Sequence, residues 1–317
     1  MAKKAPIVDT PDPRDLGFGS GFKKGNKRLI NKDGSFNVIK SGGGLGAIHG
    51  YHIMLTTPWW KFLGYIGIGY VLINLFFASI YMLVGVETLT GVAVRDTFWG
   101  KYANAFYFSV QTFTTVGYGT LSPKGDIASL VASFEAMIGL MGFALATGLL
   151  YGRFSQPTAK IAYSSCALIA PYQDINSFQL RVINRRQNQL IELEARIALR
   201  YFEEEQGTIK QQFFVLNLER DKIAMFPLSW TVVHPIDKDS PLYGVTPERM
   251  EEMDAEFIVM MKGYDETFAQ HVYSRSSYKP HEIKWGSKFT RIFHPDEDGN
   301  LIMDIDRIDE TYEVELN

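Results

Sequence analysis

The 317-residue sequence predicts a two-part chain, an α-helical membrane half followed by an all-β sandwich. Three observations carry that prediction. Residues 62–84 run without a single charge, and residues 127–151 hold only Glu135. From about residue 158 the apolar pattern changes to period two. Mean composition hides this division, because 46% hydrophobic and 21% charged residues match a soluble average. The two apolar runs argue against a wholly soluble protein, and the composition excludes collagen-like, disordered and disulfide-stapled chains. The single Cys166 leaves no internal disulfide and no zinc site built on paired cysteines.

Charge is divided in the same way. Residues 1–57 carry a net +5, residues 58–157 a net +1 and residues 158–317 a net −9. No large basic face is left over, so nucleic acid is not an expected partner. The first apolar run starts near residue 60 behind a polar stretch, so no cleavable signal peptide is expected. Residues 1–46, rich in Gly, Lys and Pro, read as a mobile cytoplasmic tail. The glycine run at 42–46 lacks the preceding strand and the following Gly-Lys-Ser/Thr of a phosphate loop. Residues 47–57 place Ile48, Tyr51, His52 and Leu55 on one helical face, too short to span, and are expected to lie along the membrane surface as a slide helix.

The transmembrane domain is expected over 58–157, with spans at 60–84 and 127–151. At about 1.5 Å per residue, each span crosses a hydrocarbon core roughly 30 Å thick. Trp59, Trp60 and Lys61 before the first span and Arg153 after the second suit interfacial anchors. Between the spans, residues 86–125 hold only Arg95, Lys101 and Lys124 as basic residues. The positive-inside bias therefore puts both termini in the cytoplasm of a multi-pass inner (plasma) membrane protein.

Within that outer loop, residues 102–113 are apolar enough to enter the membrane and too short to cross it. They read as a re-entrant helix leading into residues 114–119. The run Thr115-Val116-Gly117-Tyr118-Gly119 resembles a potassium selectivity filter. Irregular backbone at membrane depth is tolerated only where protein shields it or where it lines a wet path. Gly117 and Gly119 admit positive φ, which lets successive carbonyls turn to one axis. Those carbonyls, with the Thr115 hydroxyl, would replace the hydration shell of K⁺, while Tyr118 would brace the strand from behind. The preceding helix would aim its partly negative C-terminal end at the central cavity. One chain supplies one strand of the ring and a ring needs four, so a homotetramer is expected. K⁺ at the filter carbonyls is the only metal expected, and no cofactor is.

Beyond residue 158, Ile191, Leu193, Ala195, Ile197, Leu199 and Tyr201 alternate with polar or small residues, which predicts a long strand with one covered face. Shorter strands are expected around 213–218, 229–234, 257–261, 288–293 and 301–308. A hairpin turn is expected at 296–300, in preference to a calcium loop. About 160 residues of short strands indicate a β-sandwich over 158–317.

This tail also carries Asp239-Ser240-Pro241-Leu242-Tyr243 preceded by Val233-His234-Pro235-Ile236-Asp237, then Ser274-Arg275-Ser276-Ser277-Tyr278 and Glu282-Ile283-Lys284-Trp285-Gly286. Together with the filter these segments resemble the inward-rectifier potassium channels. The prokaryotic, KirBac-type branch fits best, because the outer loop lacks the cysteine pair of animal members. The resemblance implies a tetramer whose immunoglobulin-like cytoplasmic domain extends the pore, gated at the cytoplasmic end of the second span. Phe143 and Tyr151 match the family's constrictions, eight residues apart on one helical face. Gly139, Gly142 and Gly148 either ease bending of that helix or allow close packing.

Phe143 stands where strong rectifiers place an acid, which speaks against tight polyamine or Mg²⁺ block. The family's filter-bracing acid and base fall on Gln111 and Leu121, so that ion pair is absent; Glu135 and Gln111 are expected to support the filter. Arg153 and Lys160 keep part of the family's phosphoinositide cluster, which implies control by anionic lipid. Glu203, Glu204 and Glu205 are either an inner acidic ring or a solvated loop, and His234 and His271 read as strand residues rather than pH sensors. The competing class is a membrane receptor or sensor with a non-conducting pore and a ligand-binding β-domain. An enzyme is not expected, since the sequence holds no nucleophile–base pair or phosphate loop.

Overall fold

Pro58 cannot donate to a preceding turn and holds Thr57 out of helical geometry. One short helix, α1 (Gly50–Thr56), therefore stops there, and a long one, α2 (Trp59–Val84), begins directly after it. The computed structural model describes residues 28–38, 50–156, 159–186, 189–205 and 208–317. They fall into two compact units, Ser41–Gln156 and Met1–Lys40 with Pro157–Asn317. The 42–46 glycine run and positions 47–49 of the expected surface helix lie outside the described residues.

In the first unit α2 ends at Gly85, whose φ of 104° turns the chain into a small ladder of β1 (Leu89–Thr90) with β2 (Ser122–Pro123). Between these strands runs α3 (Phe98–Phe113), and after them α4 (Asp126–Phe154). Asp126 in the first turn and Arg153 in the last suit the helix dipole and extend α4 beyond the expected 127–151. Both α2 and α4 are long and apolar enough to cross a membrane.

The second unit is a sandwich of two five-stranded sheets. Its strands are β3 (Ile161–Tyr163), β4 (Ala167–Tyr172), β5 (Ile175–Asn184), β6 (Leu190–Glu205), β7 (Thr208–Leu216), β8 (Lys222–Met225) and β9 (Ser229–Ile236). After a helical turn, α5 (Pro247–Glu252), come β10 (Glu256–Asp265), β11 (Gln270–Tyr278) and β12 (Ile283–Trp285). One sheet runs β11-β10-β6-β7 with β8 also on β6, and the other β12-β4-β5-β3 with β9 on β5. The core lies between them. Phe178 of β5 stacks on Phe257 of β10 with centroids 4.2 Å apart. Two small ladders close the chain, β13 (Ser287–Phe289) with β16 (Thr311–Glu313) and β14 (Phe293–Pro295) with β15 (Leu301–Met303). The 296–300 turn forms, with the Asp296 amide on the Asn300 carbonyl at 2.8 Å. The strand expected over 301–308 breaks after Met303, and Ile305–Arg307 is a 3-10 turn instead.

A larger correction concerns the N-terminal tail. Leu29 and Ile30 are 0% and 1% exposed and pack with Phe213 and Ile258. The segment 28–38 is therefore part of the β unit and not free chain. It covers the outer face of β6 and β10, which is why Ala198 and Arg200 are buried although alternation placed them on the open face.

His234 on β9 is buried, with Nδ1 on the Asn217 carbonyl at 2.6 Å and Nε2 on Ser240 Oγ at 2.8 Å. Burial holds its imidazole below the ordinary range, opposed by the Asn217 contact. The unfolded chain takes up the proton first. The ring's contribution is thus complete above about pH 6.5 and is lost as pH falls through the lower folded value. We expect Tm to drop between about pH 7 and pH 5, and His234→Gln to flatten that slope in thermal melts. An equal slope in the variant would place the acid sensitivity elsewhere.

Candidate functional site

The Thr97 hydroxyl accepts the Gly100 amide at 3.1 Å, so α3 starts at Phe98, ahead of the expected residue 102. Its buried face is Asn104, Ala105, Phe108, Ser109 and Gln111. Tyr102 donates to the Leu75 carbonyl at 2.9 Å, and Asn104 Nδ2 to the Ala93 carbonyl at 2.8 Å. These bonds fix the helix against α2 and the loop before it.

The end of α3 is where the sequence's filter run begins. The Thr115 amide returns to the Thr112 carbonyl and the Val116 amide to the Gln111 carbonyl, both at 3.0 Å. With Thr115 at φ 58°, this is a Schellman closure built on threonine in place of the usual glycine. Positive φ recurs at Gly117 (51°) and Gly119 (80°), and not at Val116 or Tyr118. Every second residue of 115–119 is thus left-handed, which keeps turning successive peptide planes back toward one side. The Gly117 amide also reaches the Gln111 carbonyl, at 3.3 Å, and Gln111 Nε2 donates to the Leu121 carbonyl at 3.3 Å. Gln111 therefore ties both limbs of the loop to α3. Tyr118 is 76% exposed in the single chain.

Glu135 on α4 is fully buried. It accepts from Tyr81 of α2 at 2.7 Å and makes a very short contact with Ser109 of α3. Its hold is on the body of α3 and not on residues 115–119, so any support it gives that loop is indirect. Further along α4, a Cβ added at Gly139 would stand 2.0 Å from the Phe113 carbonyl oxygen, so glycine is needed there for close approach. Gly142 has ordinary clearance, 3.4 Å from the Phe113 ring, and Gly148 faces open space. The helix runs unbroken through all three. Phe143 and Tyr151 are 73% and 74% exposed. Phe143 shares an apolar groove with Tyr70, Phe113, Thr115 and Ala146, below the end of α3.

The match to a family described as "Inward rectifier potassium channel C-terminal domain" covers residues 161–317, and one described as "Ion channel" covers 68–156. Over 287 residues the chain is 36% identical to the inward rectifier potassium channel Kirbac3.1 of Paramagnetospirillum magnetotacticum, covering 89% of this chain and 95% of that protein. The chain belongs to the inward-rectifier potassium channel family. It is also 28% identical over 317 residues to G protein-activated inward rectifier potassium channel 3 of mouse and of human, covering 92% of this chain and 79% of each relative. This is a family of membrane ion channels and not of enzymes.

In this inward rectifier the two lipid-site candidates differ. Arg153 donates to the Met54 carbonyl and, at 2.6 Å, to that of Thr57. Its guanidinium also lies over the rings of Trp59 and Phe62, 4.6 and 4.5 Å from their centroids. It works as an internal clamp from α4 to the turn between α1 and α2, and does not present a free cation. The Tyr51 hydroxyl and Leu55 side chain on the expected α1 face approach Gly152 of α4, both about 3.4 Å from where its Cβ would lie. Lys160, by contrast, is exposed. Asn74, Tyr81 and Ser109, which complete the Glu135 cluster, were not singled out from the sequence. The one available signal was Asn74, the sole amide side chain within α2.

Proposed function

We propose that four copies of this inward rectifier form a K⁺-selective pore whose filter is Thr115, Val116, Gly117, Tyr118 and Gly119, with both termini cytoplasmic. The observation that supports it best is the run of left-handed residues at 115, 117 and 119, which starts from the closed end of α3. A ring of such strands offers stacked carbonyl oxygens in place of water, and leaves Tyr118 exposed to meet a neighbouring subunit. Protein in liposomes is expected to take up K⁺ and Rb⁺ with little Na⁺, and to be blocked by Ba²⁺. Equal Na⁺ and K⁺ uptake would overturn the selectivity, and absence of any flux would favour the non-conducting receptor.

The gate of this reading is Tyr151, with Phe143 above it. Both are large and exposed on the subunit, so four copies narrow and dry the exit. Tyr151→Ala should raise single-channel open probability several-fold, and an unchanged value would remove Tyr151 from the gate. Anionic lipid, phosphoinositide included, acts in this scheme at Lys160, with Arg153 holding α1 to α4. Flux in liposomes with and without anionic lipid, repeated for Lys160→Gln, reads that contact.

A further inference from the structure

We propose that Glu135 is a neutral acid that donates a hydrogen bond to Ser109, closing a polar chain that clamps α2, α3 and α4 together and positions the filter; this rests on the K⁺-pore reading. The argument is a count of protons. The Ser109 hydroxyl has one hydrogen and two oxygen neighbours, Glu135 Oε1 in a very short contact and Asn74 Oδ1 at 3.1 Å. The Asn74 amide cannot turn its nitrogen toward Ser109, because Nδ2 already donates to the Tyr70 carbonyl at 2.8 Å. Asn74 therefore offers Ser109 only an acceptor. Tyr81 spends its single hydrogen on Glu135 Oε2 at 2.7 Å.

An ionised Glu135 would leave the cluster one hydrogen short, with two acceptor oxygens facing each other in a site where Asn74, Ser109 and Glu135 are at most 0% exposed. A hydrogen on Oε1 closes the chain. Glu135 donates to Ser109, Ser109 to Asn74, Asn74 to the Tyr70 carbonyl, and Tyr81 to Glu135. A hydrogen on Oε2 would not, since Ser109 would still face two acceptors. Tyr81 is the other titratable group in the cluster, and among the described residues no Lys, Arg or His pairs with the carboxyl. Ser109 lies two residues before Gln111, whose carbonyl and side chain hold both limbs of the filter loop. The clamp thus reaches the filter through α3. Glu135, Ser109 and Asn74 act here as positioning residues.

Glutamine at 135 reproduces the proposed pattern, with its NH₂ donating to Ser109 and its oxygen accepting from Tyr81. The infrared difference between wild-type and Glu135→Gln tetramers at neutral pH should show loss of one carboxylic-acid carbonyl band. The K⁺:Na⁺ uptake ratio of Glu135→Gln should stay within about twofold of wild type, whereas Asn74→Leu and Ser109→Ala should each lower it roughly tenfold, the scale of one buried hydrogen bond. Loss of carboxylate bands instead of the acid band overturns the proposal, and so does collapse of selectivity in an intact Glu135→Gln tetramer. The infrared result does not depend on flux, so failure of the pore reading and failure of the proton count are read separately.

Discussion

Gly117→Ala is expected to abolish selective uptake, cutting ⁸⁶Rb⁺ flux into liposomes to a few per cent of wild type. Space is not the obstacle, because an added Cβ would meet nothing within 4 Å in the subunit. The cost lies in the backbone, held at φ 51°. An L-residue in that region costs about 1–2 kcal/mol, and the proposed ring of four would repeat it, for roughly 4–8 kcal/mol per channel. Thr115 bears a φ of 58° with a β-branched side chain, so the same strain is tolerated two residues earlier. There the Schellman bonds at 3.0 Å hold the conformation. Gly117 lies past that closure, and its own amide reaches the Gln111 carbonyl only at 3.3 Å. Alanine at 117 would relax to negative φ, breaking the alternation and turning the adjacent carbonyl off the axis. Gly67→Ala, in an open stretch of α2, is the control and should keep uptake within about twofold. Normal Rb⁺ selectivity in an intact Gly117→Ala tetramer would take Gly117 out of the filter.

The features legible in the sequence are those with local causes. Two long apolar runs became α2 and α4, and the alternating set Leu193, Ala195, Ile197 and Leu199 became the covered face of β6. β5 was missed because both of its faces are covered. Phe178, Leu180 and Val182 are buried on one side and Ser177, Gln179 and Arg181 on the other, so no alternation of exposure marks it. The start of α3 was missed because Thr97 is followed three residues on by Gly100, without the acid or amide of a capping box. The loop over 115–119 was legible as a motif, but its anchoring was not. That anchoring comes from the carbonyl and side chain of Gln111, a position the sequence marks as a filter support without indicating which atoms it holds. The Glu135 cluster and the docking of residues 28–38 are farther from view, since each joins positions tens to hundreds apart.

That docking yields the largest expected loss of stability, in Glu256→Ala. Glu256 is fully buried, and its carboxylate accepts the Leu29 amide at 2.8 and 3.0 Å and the Ile30 amide at 3.3 Å. Arg200, also fully buried, pairs with it at 3.2 Å. Truncation therefore strands a guanidinium out of water and leaves two backbone donors facing a void. Breaking a buried pair from one side costs about 3–5 kcal/mol, far more than the net worth of the pair itself. Asp254, 3.6 Å from Arg200, does not make up the loss, because it is already engaged by Lys279 at 2.6 Å. The variant should melt well below wild type in detergent and be cut by protease within residues 28–38. Arg200→Met with Glu256→Ala removes the stranded charge and should recover part of the melting temperature. The orphaned amides of Leu29 and Ile30 remain, so the segment should stay cleavable. Recovery of both would assign the docking to the charge pair, whereas recovery of temperature without protection assigns it to the carboxylate's grip on the backbone.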